Sequence, residues 1–119
     1  MLPAARRMRR SFDFERAVRG GARAGRSTVV VHLARTPDRV DGPLVGLVVS
    51  KAVGNAVHRN LVKRRLRGAA AAHVDELPTD ALVVLRALPA AAEADYARLE
   101  RDVGRGMHKA LARATERVR

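Results

Sequence analysis

The chain has 119 residues, of which 47% are hydrophobic, enough for one domain with a modest apolar core. Its 24 Lys and Arg residues against 12 Asp and Glu give a net charge of +12, which favours a polyanionic partner such as nucleic acid. The sequence lacks cysteine, a secretion signal and the roughly 18 apolar residues of a membrane span, so we expect a single cytoplasmic domain over residues 1–119 without disulfides.

The chain is expected to begin with a basic tail and one short helix. Residues 1–10 hold four arginines and no acidic residue, and we expect them to form a mobile, flexible basic arm. Ser11 is a suitable N-cap for a helix over residues 12–19, because a serine side chain can accept a hydrogen bond from a free amide of the first turn. The pair Gly20-Gly21 ends this predicted helix.

Two β-branched runs, over residues 28–33 and 44–49, predict the long strands of a sheet. Proline, aspartate and glycine between them favour a turn, and we interpret the two runs as an antiparallel pair. A short extra strand over residues 22–25 can precede them, although its glycine weakens the pattern. A further apolar run over residues 81–86 has the composition of a strand that is buried on both faces.

Two longer helices complete the predicted fold. Residues 56–74 follow the break at Gly54-Asn55 and are rich in helix formers, with no proline. A last helix over residues 93–117 is indicated by an apolar stripe at steps of three and four, which consists of Tyr96, Leu99, Val103, Met107, Leu111, Ala114 and Val118. The order α-β-β-α-β-α is typical of an α/β fold of the two-layer α+β sandwich kind, with helices packed on a central mixed sheet.

The predicted helix over residues 56–74 lies in a segment with no acidic residue from position 43 to position 73. At 100° per residue, one side of this helix gathers the polar side chains of Arg59, Asn60, Lys63, Arg64 and Arg67. The opposite side is apolar apart from Arg65, and consists of Val57, Leu61, Val62, Leu66 and Ala69. Arginine can donate two hydrogen bonds to one phosphate, and solvated helix faces usually interleave Glu with Lys. The pattern therefore favours an RNA backbone as the ligand.

Residues 45–67 read VGLVVSKAVGNAVHRNLVKRRLR, and this run resembles the signature of the bacterial ribonuclease P protein family. The likeness lies in a strand, a Ser-Lys turn and an Arg-Asn-x-x-Lys-Arg-x-x-Arg helix, with a weaker likeness over residues 11–18 and 81–86. It implies an RNA-binding subunit that helps a catalytic RNA remove the 5′ leader from precursor tRNA. It also implies a β-α-β crossover of left-handed sense through the central helix.

The resemblance further implies two RNA surfaces. One, for the catalytic RNA subunit, consists of Arg59, Asn60, Lys63, Arg64 and Arg67. The other, for the single-stranded leader of precursor tRNA, consists of Phe14, Val31, Lys51 and Asn55. Aromatic side chains stack on unpaired bases in such clefts. Because Val18 and Val31 stand where some relatives carry aromatic residues, we expect weaker stacking here.

We expect no catalytic residue on this chain. Its turn acids, Asp38, Asp41, Asp75, Glu76 and Asp80, fall in predicted loops or helix ends and do not predict the carboxylate or histidine cluster that activates water. By resemblance, Mg²⁺ is the cofactor and is held mainly by the RNA subunit. No membrane and no obligate protein partner are expected.

Two other functions stay open on composition alone. A ribosomal or translation-associated RNA-binding protein without an enzymatic role has the same charge, and only the motif over residues 45–67 disfavours it. A DNA-binding protein could use the helix over residues 56–74 for recognition, but no helix precedes it at helix-turn-helix spacing.

Overall fold

The chain folds around a four-stranded sheet. The structure, a computed structural model, describes residues 1–117, so Val118 of the predicted apolar stripe lies outside the described residues. In chain order the elements are α1 (Ser11–Gly20), β1 (Ala22–Gly25), β2 (Val29–Arg35), β3 (Leu44–Val48), α2 (Ala56–His73), β4 (Ala81–Ala87) and α3 (Tyr96–Arg117). The predicted fold class and element order are confirmed, and the short extra strand is present as β1.

Strand β4 lies inside the sheet, whose order is β1-β2-β4-β3. It is antiparallel to β2 and parallel to β3, and its residues 81–85 are all buried. The predicted pairing of β2 with β3 is therefore wrong, because the more apolar β4 takes the position between them, where both faces are covered. The parallel β3–β4 pair joined by α2 agrees with the crossover that the resemblance implies, and the hand of that crossover stays a prediction.

The two faces of the sheet bury different side chains. Val31, Val83 and Leu85 belong to the larger core, which α2 and α3 cover, whereas Leu82 and Val84 belong to a smaller core beneath α1. Since neighbouring residues of a strand point to opposite faces, a shift of one position changes the core that a side chain joins. Helix α2 contributes four buried side chains, Val62, Leu66, Ala69 and Ala70. Its polar side consequently points away from the sheet.

The first ten residues pack against the β3 edge instead of forming the predicted mobile arm. Leu2 is 1% exposed and Met8 is 6% exposed. The amide of Met8 donates to the carbonyl of Val45 at 2.9 Å, and Arg7 forms a parallel bridge with the same residue. The mobile arm was predicted from the arginines, whereas the burial of Leu2 and Met8 holds the segment in place.

Two helix starts differ from their predictions. Ser11 is the first residue of α1 and not its N-cap, because the N-cap position belongs to Arg10, which makes no side-chain capping bond. Helix α3 begins three residues after the predicted start, since Asp95 Oδ1 accepts a hydrogen bond from the amide of Arg98 at 2.8 Å and caps the first turn.

Asp102 joins α3 to the turn between β1 and β2. It is 4% exposed and accepts hydrogen bonds from Thr28 Oγ1 at 2.6 Å, from the Thr28 amide and Ser27 Oγ at 3.3 Å, and from Arg26 Nε at 3.5 Å. Burial raises the pKa of Asp102, but the hydrogen bonds from Thr28, Ser27 and Arg26 outweigh burial and leave the pKa below its usual value.

Asp102→Asn should lower the free energy of unfolding by about 2–3 kcal/mol at pH 7, because the amide loses charge-assisted hydrogen bonds. A carboxyl group with a depressed folded-state pKa stabilises the fold fully above its unfolded pKa of about 3.9, and this contribution is lost as pH falls through the folded-state pKa. The stabilities of the two proteins, measured by urea titration, should therefore begin to converge as pH falls below about 4. A deficit that stayed constant in acid would contradict a role for the ionised carboxylate.

Candidate nucleic-acid interface

A tight turn sets the start of α2. Lys51–Val53 form a 3₁₀ turn, and the following Gly54 has a φ of +152°, which side chains of L-residues rarely adopt. Asn55 Oδ1 then accepts a hydrogen bond from the amide of His58 at 3.0 Å and caps the helix. The oxygen of Asn55 is engaged in this cap, so its NH₂ group is the part left to bind a ligand.

The outward side of α2 is cationic. We define the α2 cationic face as the five exposed or half-buried polar residues Arg59, Asn60, Lys63, Arg64 and Arg67. Within residues 1–117, none of its four cations forms an ion pair with a carboxylate. The full charge of the face is therefore available to an external anion, and the structure brings together every residue that the sequence assigned to this surface.

Two side chains of α2 depart from the simple two-sided picture. Val57, predicted to lie on the apolar side, is 75% exposed, because the first turn of α2 lies outside the core. Arg65 points into the apolar side, as its position predicts, and its Nη1 donates to the carbonyl of Ala94 at 3.3 Å. Arg65 thus ties α2 to the segment that precedes α3.

The N-terminal segment extends the α2 cationic face, which sequence reasoning missed. Met1 and Arg7 line a hollow of about 650 Å³ together with Asn60, Lys63, Arg64, Arg67 and Gly68. A neighbouring hollow of about 370 Å³ is shared by Arg7, Arg9, Phe14, Gly46, Lys63 and Arg67, among others. The signal that could have identified this arrangement is the pair of apolar residues, Leu2 and Met8, on either side of the first arginines.

The residues predicted to hold the leader are not all brought together. Phe14 is half buried and its ring lies over Gly46, where an added Cβ would come within 2.5 Å of the ring. Phe14 therefore borders the hollow that Lys63 and Arg67 also line. Lys51 is exposed, but it lies in the turn before α2 and outside that hollow.

Val31 cannot serve as a leader contact, and this prediction is wrong. Its side chain is 0% exposed, and a Cβ added at Gly106 of α3 would lie 2.5 Å from Val31 Cγ2. Val31 therefore belongs to the core beneath α3. Because side chains alternate along a strand, the neighbours Val30 and His32 are the residues of β2 that face α1.

Arg86 is a cation on the α1 side of the sheet that sequence reasoning also missed. It lies on the interior strand β4, in register with Val30 of β2 and Val48 of β3. It is half buried and forms no ion pair within the described part of the chain, although buried cations usually have a partner. The alternation of residues 81–86 could have indicated that Arg86 shares a face with Leu82 and Val84.

His32 lies close to Arg86 on the same face. It is 5% exposed, and its Nε2 has no hydrogen-bond partner among residues 1–117. Burial is the main cause that lowers the pKa of His32, followed by the positive charges of Arg86 and Arg23. His32 is therefore neutral at pH 7, and the cationic character of this face comes from arginine.

In residues 1–117, no group of three or more His, Asp or Glu side chains is placed to hold an ion. None of the described helices is both long and apolar enough to cross a membrane.

Comparisons with known proteins agree with the geometry. The family model described as Ribonuclease P matches residues 2–111. The chain is 52% identical to the ribonuclease P protein component of a Nocardioides species, over 97% of this chain and 99% of that one. It is 57% identical to the ribonuclease P protein component of Beutenbergia cavernae, over 87% of this chain and 86% of that one. Its fold is similar to that of the RNase P protein of Staphylococcus aureus, with a TM-score of 0.77 and 22% identity over 89% of this chain and 97% of that one. It is also similar to that of the RNase P protein of Thermotoga maritima, with a TM-score of 0.69 and 21% identity over 82% of this chain and 90% of that one.

Gly46→Ala should lower the free energy of unfolding by about 1–2 kcal/mol, because the new methyl group must displace the ring of Phe14. The smaller side chain in Phe14→Leu should relieve this clash, so the double variant should lose less stability than the sum of the two single changes. Urea denaturation of all four proteins measures the coupling. Additive losses would show that the ring does not press on β3 at this position.

Proposed function

The chain belongs to the bacterial ribonuclease P protein family, and from this membership we propose how it takes part in removing the 5′ leader from precursor tRNA. As a protein component of ribonuclease P it has an RNA subunit as its partner. The ribosomal and DNA-binding alternatives rested on composition alone, and family membership removes the ground for both.

The α2 cationic face is our proposed binding site for the RNA subunit. The observation that carries this proposal is the set of four cations on one helix face, none of which is neutralised by a carboxylate within residues 1–117. Arg7 and Arg9 add positive charge from the N-terminal segment beside this face. Such a surface binds phosphates without reading sequence, and its affinity should fall steeply with salt.

The α1 side of the sheet is our proposed site for the single-stranded leader. Phe14 offers a partly exposed ring for stacking on a base, and Arg86 of β4 offers a guanidinium that has no ion-pair partner among residues 1–117. Lys51 and the NH₂ group of Asn55 would add contacts from the turn before α2. Only the precursor carries a leader, so these contacts would favour precursor over mature tRNA.

We propose that the RNA subunit catalyses the hydrolysis and binds the Mg²⁺ ions that the reaction needs. No group of three or more His, Asp or Glu side chains within residues 1–117 is placed to hold an ion, so we assign no Mg²⁺ ligand to this chain. The protein would act by reducing repulsion between two polyanions and by extending contact to the leader. We place this activity in the cytoplasm, where precursor tRNA is made in bacteria.

The double variant Arg59→Gln/Lys63→Gln should bind the RNA subunit about tenfold to a hundredfold more weakly at physiological salt, because two phosphate contacts are lost. The slope of log affinity against log salt should become shallower by about 2. The matched control is Arg16→Gln/Arg19→Gln, which removes two exposed charges from α1. Equal losses in both double variants would contradict a specific role for α2.

Lys51→Ala and Arg86→Gln should each reduce the preference for precursor over mature tRNA by roughly threefold to tenfold, because both side chains are proposed to contact leader phosphates. The measurement is substrate affinity in the reconstituted holoenzyme, with and without a leader. Affinity for mature tRNA and for the RNA subunit should stay unchanged. A parallel loss with mature tRNA would place these residues outside the leader site.

A further inference from the structure

A second cationic surface lies at the edge of the sheet opposite β3. Strand β1 is the outermost strand there, and α3 runs beside it. Arg113 donates to the carbonyl of Arg23, and Arg98 donates to Ser27 Oγ at 2.8 Å. We define the β1 edge as the four exposed cations that α3 carries on this side, Arg98, Arg105, Lys109 and Arg113.

The charges of the β1 edge are not neutralised within the described residues. The hydrogen-bond acceptors of Arg98 and Arg113 are a hydroxyl and a carbonyl, which carry no net charge. The buried carboxylate on this flank, Asp102, is paired with Arg26, which we therefore leave out of the set. The exposed acids Asp95 and Glu116 lie near the two ends of α3, and Glu76 and Glu100, which line a hollow with Arg105 and Lys109, are paired with His73 instead. A net positive row remains between Asp95 and Glu116.

The geometry of the β1 edge favours double-helical RNA over an unpaired strand. At 1.5 Å per residue, the row from Arg98 to Arg113 extends about 22 Å along a rigid helix. The three aromatic residues of the chain lie elsewhere: Phe12 and Phe14 are on α1, and Tyr96 packs beside Gly68 of α2. The edge therefore offers cations for phosphates and ribose but no Phe, Tyr or Trp ring on which unpaired bases could stack, which favours the backbone of a double helix.

We propose that the β1 edge binds a double-helical segment of the RNA subunit, distinct from the segment that binds the α2 cationic face. This inference rests on the proposed function. Strands β1 and β3 are three strand spacings apart, about 14 Å, so the two surfaces lie towards opposite edges of the sheet. A domain held at one edge could pivot about it, whereas contact at both edges fixes the direction in which the α1 side faces.

The test is the double variant Arg105→Gln/Lys109→Gln in the full-length protein, titrated with a transcript of the RNA subunit in Mg²⁺ at several salt concentrations. Neither side chain makes a hydrogen bond or ion pair within residues 1–117, so the fold should be unaffected. We expect affinity to fall about tenfold and the salt slope to decrease by about 2. The control Arg16→Gln/Arg19→Gln carries the same net charge, and an equal effect from it would overturn the inference.

Chemical footprinting of the RNA subunit separates this inference from the proposed function. The β1-edge variant should lose protection at one duplex, and Arg59→Gln/Lys63→Gln should lose it at another. Unchanged RNA-subunit affinity in the β1-edge variant, or a loss confined to mature tRNA, would overturn the inference while the proposed function stands. Normal RNA-subunit binding by the α2 variant would instead overturn the proposed function.

Discussion

The burial of β4 on both faces is the constraint from which the rest of the architecture follows. A strand that is apolar on both sides must be covered on both sides, so α2 and α3 pack on one face and α1 packs on the other. Its neighbours β2 and β3 are thereby separated, and the sheet has β1 and β3 at its two edges. Helix α2 lies towards the β3 side and α3 lies beside β1. The positions of the charged surfaces are thus consequences of how one apolar strand is enclosed.

Helix α2 packs against the core with its apolar side and presents the α2 cationic face on its other side. Val62 and Leu66 fix α2 to the domain, and this packing sets the backbone positions from which Arg59, Lys63 and Arg67 project. Order in the free protein reduces the conformational entropy that binding would otherwise have to remove. The N-terminal segment is positioned in a similar way, because the burial of Leu2 and Met8 holds Arg7 and Arg9 beside α2.

Local periodicity was enough to predict the helices, their order and the polar side of α2, because those features depend on spacing along a short segment. Strand pairing was not predictable in this way. The position of β4 between β2 and β3 depends on contacts between segments far apart in the chain, which no local pattern encodes. Val31 was assigned to the leader surface by the family resemblance, but it is a core side chain, and the residues one position away on β2 point to the α1 side. Arg86 was missed because residues 81–86 were interpreted as uniformly buried, without asking which face each side chain joins.

The absence of acidic residues from positions 43–73 also bears on how stable the free chain is. Cations gathered on one side of α2 repel each other, and part of the free energy of folding is spent in holding them together. An anion that binds only the native state relieves this repulsion. Well above its dissociation constant, it raises the free energy of unfolding in proportion to the logarithm of its concentration. A chain in complex with its polyanion therefore unfolds less readily than a solitary one, and proteases that act on unfolded chains would remove the unassembled excess first. The α2 cationic face thereby links the lifetime of the polypeptide to its assembly state.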